Sequence, residues 1–296
     1  MLIKDAKELR QLTGNYYANN DFSKVVGELE QAREELVLLI GEKVMALAES
    51  GEKETLAAKV KRPMAILATL RMYQKNDLSH EDDGRKFKTS TDNGEKLPWE
   101  WQLDRDDAMH LESYYRGVDA LIRFLDGSDI AEWKESETYK VRQSLIIRNG
   151  QEFNRYFPIE NSERMYLLLV PFIREAQMLT VKKAYGQDWD SLLTAERGVD
   201  EVRYAACVAT ALLAMSIALH RLPLKLIPSG VIRGYMAENG MSKSQPATYE
   251  EIIKSADWMR EDAAMWINQM KQLRDGEAPN YDLVPNNNPR NKYCSL

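Results

Sequence analysis

Cysteine, histidine and glycine are all scarce in this chain, and each shortage removes a class of answers. Two cysteines in 296 residues, Cys207 and Cys294, cannot build a disulfide framework, and neither has the CxxC partner of a metal or redox site. The three histidines, His80, His110 and His220, have no helical or strand spacing that would make them metal ligands. The dinucleotide-binding glycine motif, the phosphate-binding P-loop and the HExxH zinc motif are all missing. Only 15 Gly and 10 Pro interrupt the chain, which favours helix over strand. A net charge of −6 and a pI near 5.4 argue against a general nucleic-acid or membrane-surface binder. The opening MLIKDAKELR lacks the long apolar core of a signal peptide. The apolar run Tyr204–Leu219 has sixteen residues, short of the roughly twenty that a bilayer requires, and reads as a buried core helix. The expectation is a soluble, intracellular, mainly α-helical protein without cofactor, metal or catalytic constellation.

What is present is a repeat. Moving Ala6–Leu39 forward by 144 positions places Glu8 on Glu152, Leu9 on Phe153, Phe22 on Tyr166, Leu29 on Ile173 and Ala32 on Ala176, without a gap. Such internal similarity has to be considered before any fold is assigned. At an offset of 141, Arg203 falls on Arg62, Ala206 on Ala65 and Ala209-Thr210 on Ala68-Thr69. The three-residue difference belongs in an intervening loop, where length changes cost little.

The first copy opens with a short amphipathic segment, Leu2–Leu12, stopped by Gly14. Asn19, Asn20 and Asp21 are candidate caps for a long helix whose apolar stripe runs from Phe22 through Leu29 and Leu36 to Leu47 at spacings of three and four. A further helix spans Leu56–Tyr73, with Pro63 near its first turn. Asn93-Gly94 within Phe87–Trp101 predicts a small β-hairpin, and Asp104–Leu125 returns to helical spacing before Asp126-Gly127. In the second copy, Asn161 and Ser162 are cap candidates and the stripe continues through Tyr166, Leu169 and Ile173. Pro171 sits where Gly27 sits in the first copy, which predicts a bend or break at both. Leu224–Tyr235 is a second hairpin candidate, and Thr248–Leu273 is a closing helix before Asp275-Gly276. The predicted organisation is therefore two tandem helical units of similar plan, each with a small hairpin before its last helix. Residues 1–128 form the first unit, 129–144 a linker, 145–276 the second unit, and 277–296 an extended arm.

The arm, EAPNYDLVPNNNPRNKYCSL, has three prolines and five asparagines, which exclude helix. It reads either as a frayed terminus or as a docking arm carrying Tyr281, Leu283, Val284, Tyr293 and Leu296. Trp99 and Trp101, flanking an acid beside the first hairpin, are further docking candidates. The acidic cluster Asp77, Glu81, Asp82 and Asp83 lacks the glycine and glutamate of a calcium loop and reads as a solvated loop.

The LIKDAKELRQL segment followed by the capped NDFSKVVGELEQAREEL helix resembles the head-to-tail connector (adaptor) proteins of tailed phages. With EFNRYFPI and LIPSGVIRGY included, the chain is similar to uncharacterised proteins of Bacteroidetes phages and prophages. The resemblance covers about the first seventy residues of each copy, and the chain departs from ordinary connectors in its size, since those carry about one such unit. It implies a structural virion protein rather than an enzyme, with no catalytic residues. It further implies a homo-oligomeric ring, commonly twelve-fold, under the portal protein at the head–tail junction. Tail or further connector proteins would bind the ring, and DNA would pass through it without sequence-specific contact. Assembly would take place in the host cytoplasm, with no membrane partner. The alternative from the residues alone is a helical bacterial interaction protein, or a small-molecule-binding enzyme with a pocket between the two units.

Overall fold

The computed structural model describes residues 2–14, 21–77, 79–81, 84–86, 99–194, 200–222, 224–227, 230–233 and 248–276. It is mainly helical and divides into two compact units. The first comprises 2–144 and 148–168, with the strands from Lys225 onward grouped with it. The second holds Leu145–Ile147, Leu169–Leu224 and the last described helix.

In the first unit, helix α1 (Ala6–Thr13) starts at Asp5, whose carboxylate accepts from the Glu8 N–H at 2.8 Å. It stops at Gly14, which takes the left-handed conformation at φ 76°. Asp21 supplies the local cap for α2 (Ser23–Ile40), accepting from the Ser23 N–H at 3.0 Å. The predicted stripe is longer than this helix. Gly41, at φ 87°, separates α2 from α3 (Glu42–Ser50), and Arg33 spans the joint by pairing with Glu42 at 2.6 Å and Glu49 at 2.9 Å. Helix α4 (Glu54–Asn76) holds Pro63 in its interior, more than two turns from its start, rather than near its first turn. The lost backbone hydrogen bond at Pro63 coincides with a close helix contact. A Cβ placed on Gly117 of α5 (Glu100–Asp126) would lie 3.2 Å from Pro63 Cβ, so glycine lets the two helices approach there.

The core of this unit gathers Leu9, Leu29, Leu36, Ile40, Val60, Met64, Leu121, Leu125 and Trp133, all essentially inaccessible. Each such aliphatic side chain contributes about 1.5–3 kcal/mol relative to leaving it in water. The stretch expected as a linker, 129–144, is part of this packing. It folds as α6 (Ala131–Lys134) and α7 (Glu137–Gln143), with Trp133 at 0% exposure. Helix α8 (Gly150–Phe153) and the start of α9 (Glu163–Ala176) also group with the first unit. Neither Gly27 nor Pro171 interrupts its helix, contrary to the expected break. The irregularity comes later, where Gln177–Val181 forms a π-helical turn before α10 (Lys182–Tyr185).

In the second unit, α11 (Trp189–Thr194) precedes α12 (Glu201–Arg221), capped by Asp200 through the Val202 N–H at 2.9 Å. Helix α12 is long and apolar enough to cross a membrane by length and composition alone, but 67% of its most apolar window is buried. Its partner is α13 (Tyr249–Asp275), which opens with a reciprocal Thr248–Glu251 capping box. Alanines at 206, 209, 214 and 218 of α12, and Ala256 and Ala263 of α13, are fully or nearly fully buried, and small side chains permit close helix packing. The Ser216 hydroxyl donates to the Ala256 carbonyl at 2.8 Å.

Two short strand pairs complete the described residues. Strands β1 (Ser79–Glu81) and β2 (Gly84–Lys86) are antiparallel, with His80 opposite Arg85. This pair lies upstream in sequence of the stretch expected to turn at Asn93-Gly94, which lies outside the described residues. Strands β3 (Leu224–Ile227) and β4 (Gly230–Arg233) pair within 224–235.

Candidate functional site

The strongest concentration of charge is buried in the first unit, around Arg142. Its side chain is 2% exposed, and its guanidinium grips Asp126 with two hydrogen bonds, at 3.1 and 2.6 Å. Its Nε donates to the Arg148 carbonyl at 3.0 Å, and Glu163 Oε2 lies 3.7 Å from Nη2. Trp133 Nε1 donates to Asp126 at 3.0 Å, and the rings of Trp133 and Tyr166 lie 5.9 and 5.4 Å from the guanidinium carbon. Burial works against the Arg142 charge, but Asp126 beside it more than compensates and holds its pKa above the ordinary value.

Three acids then fix the turn that leads into α9. Glu163, 1% exposed, accepts from the Gly150 N–H at 2.8 Å and the Gln151 N–H at 3.4 Å. Glu152 accepts from the Arg148 N–H at 2.8 Å. Asp119 of α5 accepts from the Arg164 N–H at 2.7 Å and the Ser162 hydroxyl at 3.1 Å, anchoring the first turn of α9. Burial pushes the Glu163 carboxyl above its ordinary value of 4.5, and the Gly150 N–H and Arg142 charge offset this only in part. Gly150 is required by proximity, since a Cβ there would lie 2.6 Å from the Ser162 carbonyl oxygen. These polar groups hold backbone and one another, so the arrangement is a scaffold joining α5, α7, α8 and α9 rather than an acid–base site.

A second buried arginine serves the other unit. Arg203 of α12 donates to the carbonyls of Leu192 at 2.9 Å and Ile146 at 2.7 Å. Gln177, in the π-helical turn, accepts from the Ile146 N–H at 2.8 Å.

Of the docking candidates, the structure describes two. Trp99 is the N-cap residue of α5 and Trp101 lies in its first turn, so they sit on a helix start rather than in a hairpin. Both are exposed, at 71% and 43%. Farther along α5, Met109 is also exposed. Tyr281, Leu283, Val284, Tyr293 and Leu296 lie outside the described residues. Among the described residues no group of three or more His, Cys, Asp or Glu could hold a metal ion. His220 meets Arg260 at 3.3 Å, and His110 meets the Asp106 carbonyl at 3.0 Å.

The first unit also carries an open groove of about 560 Å³ between α4 and α5. Small side chains, Ala58, Pro63, Gly117 and Ala120, line it together with Lys59, Arg62 and Arg116, and Leu12 of α1 also contributes. Sequence reasoning missed both this groove and the Arg142 scaffold. A usable signal existed for the second: residues 129–144 contain neither Gly nor Pro and include Trp133, which is poor linker composition.

Among known proteins, the model of a family of unknown function, DUF6712, matches residues 11–143 and 190–293. No curated protein and no solved structure matches.

Proposed function

The chain belongs to DUF6712, and because the function of that family is unknown, we propose from the chain's own features that it is a structural virion protein of a tailed phage or prophage. In this reading it is a duplicated head-to-tail connector that forms a ring under the portal, joins capsid to tail, and performs no catalysis. DNA passes through the ring without sequence-specific contact, and the place of action is the head–tail junction.

The observation that carries the reading is the burial register of two helices. Leu169, Ile173 and Ala176 lie 144 residues after Val25, Leu29 and Ala32, and all six are buried. Beyond Ala176 the next buried apolar residue is Val181, which lies 145 after the buried Leu36. The extra residue falls inside the π-helical turn, the local form that an inserted residue takes within a helix. The later elements support the same plan. Helices α4 and α12 are each followed by a short strand pair, and α5 and α13, each of 27 residues, end in Asp followed by Gly. Two connector-like units in tandem, each with a hairpin before its last helix, account for this order.

The acidic balance suits a channel wall, because phosphate-neutralising cations generate the affinity that a sliding duplex must avoid. The exposed Trp99 and Trp101 suit a partner surface, where aromatic side chains are enriched. Affinity capture with the portal protein encoded in the same gene cluster tests the assignment. Retention of the chain on immobilised portal is expected. Passage through the column with the helical fold intact overturns it.

A further inference from the structure

Two surfaces of this chain carry exposed groups of opposite character. In the α4–α5 groove, Lys59 and Arg62 are exposed and have neither hydrogen bond nor ion pair among the described residues. Arg116 reaches Glu112, one helical turn away on its own helix. Apart from Leu12, the uncharged lining is of small side chains, with Gly117 against Pro63. A lining of that kind admits another helix to short range, as large side chains would not.

On α13 of the second unit, Trp258, Glu261, Asp262 and Met265 fall at i, i+3, i+4 and i+7 and so share one stripe. Trp258 is 56% and Met265 63% exposed. Glu261 and Asp262, exposed between them, pair with nothing among the described residues. An apolar pair of anchors enclosing two acids is the pattern of a helix that lies in a groove lined by apolar and cationic groups.

We propose that α13 of one copy of this chain lies in the α4–α5 groove of the next. Trp258 and Met265 rest on the small-residue lining, and Glu261 and Asp262 face Arg62 and Arg116. The occupant is a second copy because the complementary charge and the apolar anchors are both on this chain. A nucleic acid would satisfy the cations but leave the apolar lining without a partner. The contact uses different patches on its two sides, so it is heterologous and generates a ring when the rotation closes. The inference rests on the self-assembly part of the proposed function and not on recognition of the portal.

The test is the mass in solution of charge-reversed chains, by size-exclusion chromatography with light scattering, with circular dichroism to verify helix content. The wild-type chain is expected above the 34.1 kDa protomer mass. Arg62→Glu with Arg116→Glu, and separately Glu261→Arg with Asp262→Arg, each weaken the contact more than about thirtyfold and give protomers. Mixing the two variants restores both contacts, native stripe in native groove and reversed stripe in reversed groove, so assembly returns with the two chains alternating. The chain carrying all four reversals regains assembly.

A wild-type protomer at all concentrations, or single-sided variants that keep the wild-type mass, overturns the proposal. So does a groove that binds a labelled DNA duplex through Arg62 and Arg116 while the mass stays that of a protomer. A chain that assembles through this seam but ignores the portal contradicts the connector function alone. One that binds the portal only as a protomer contradicts the seam alone.

Discussion

Arg142 and Asp126 meet through two hydrogen bonds, at 3.1 and 2.6 Å, with the arginine side chain 2% exposed and the aspartate at the last residue of a 27-residue helix. The pair ties the end of α5 to α7, and through the Arg148 carbonyl and Glu163 it reaches the turn before α9. A buried pair of this kind adds little net stability when intact, because desolvation offsets attraction, but breaking it leaves an uncompensated charge.

Arg142→Met should therefore cost about 3–5 kcal/mol of unfolding free energy, since Asp126 and Glu163 lose their shared counter-charge. Asp126→Asn, which keeps an acceptor for Trp133 Nε1, should cost less. Urea unfolding followed by circular dichroism measures both. Equal and small losses would mean that the scaffold is not held by this pair.

Two glycines separate space from conformational entropy. Gly150→Ala forces a Cβ to within 2.6 Å of the Ser162 carbonyl oxygen and should destabilise by about 1–3 kcal/mol. Gly27→Ala, within α2 and with no atom nearby, should stabilise by roughly 0.5–1 kcal/mol through helix propensity and a more restricted unfolded chain. The difference between the two unfolding midpoints, with opposite signs relative to wild type, is the readout.

Acid should act on two glutamates in opposite directions. The Arg33 hydrogen bond holds the Glu49 carboxyl below its ordinary value of 4.5, so its contribution is present above that value and is lost as pH falls through the folded-state value. Burial holds Glu163 above 4.5, so its contribution is full below 4.5 and is lost as pH rises through its folded value. Relative to wild type, Glu163→Gln should lose ground as pH falls toward 4.5. Glu49→Gln should recover ground as pH falls below 4.5. Urea midpoints across pH 3–7 check the two slopes, and slopes of the same sign would contradict the assignment.

Trp99 and Trp101 are exposed at the start of α5, so changing both to alanine should leave the thermal midpoint nearly unchanged. As aromatic anchors at the portal contact, their removal should cost about 2 kcal/mol or more of binding, roughly thirtyfold in Kd. Surface plasmon resonance against immobilised portal makes the comparison, and an unchanged Kd would remove these two residues from the interface.

Much of the helical architecture could be read from spacing, because an apolar stripe at three and four residues is a direct consequence of burying one helix face. Val25, Leu29 and Ala32 illustrate this, and their counterparts Leu169, Ile173 and Ala176 are buried in turn. Boundaries were less legible. Gly41 divides a stripe that the apolar pattern alone runs through, because periodicity does not register one positive-φ residue. Pro63 is a poor guide to where α4 starts, because proline is usual in a first turn yet here lies well inside a helix that begins at Glu54. The Arg142 scaffold was illegible in kind: its partners come from residues 126, 148 and 163, and only tertiary folding brings them to one point. The groove and the α13 stripe are likewise surfaces, defined by what remains uncovered after packing.

Electron microscopy of the chain mixed with its portal protein bears most directly on the account. A closed ring of this chain, coaxial with the portal and with an open central channel, is the predicted image. Portal particles without added density, beside free protomers, would contradict it.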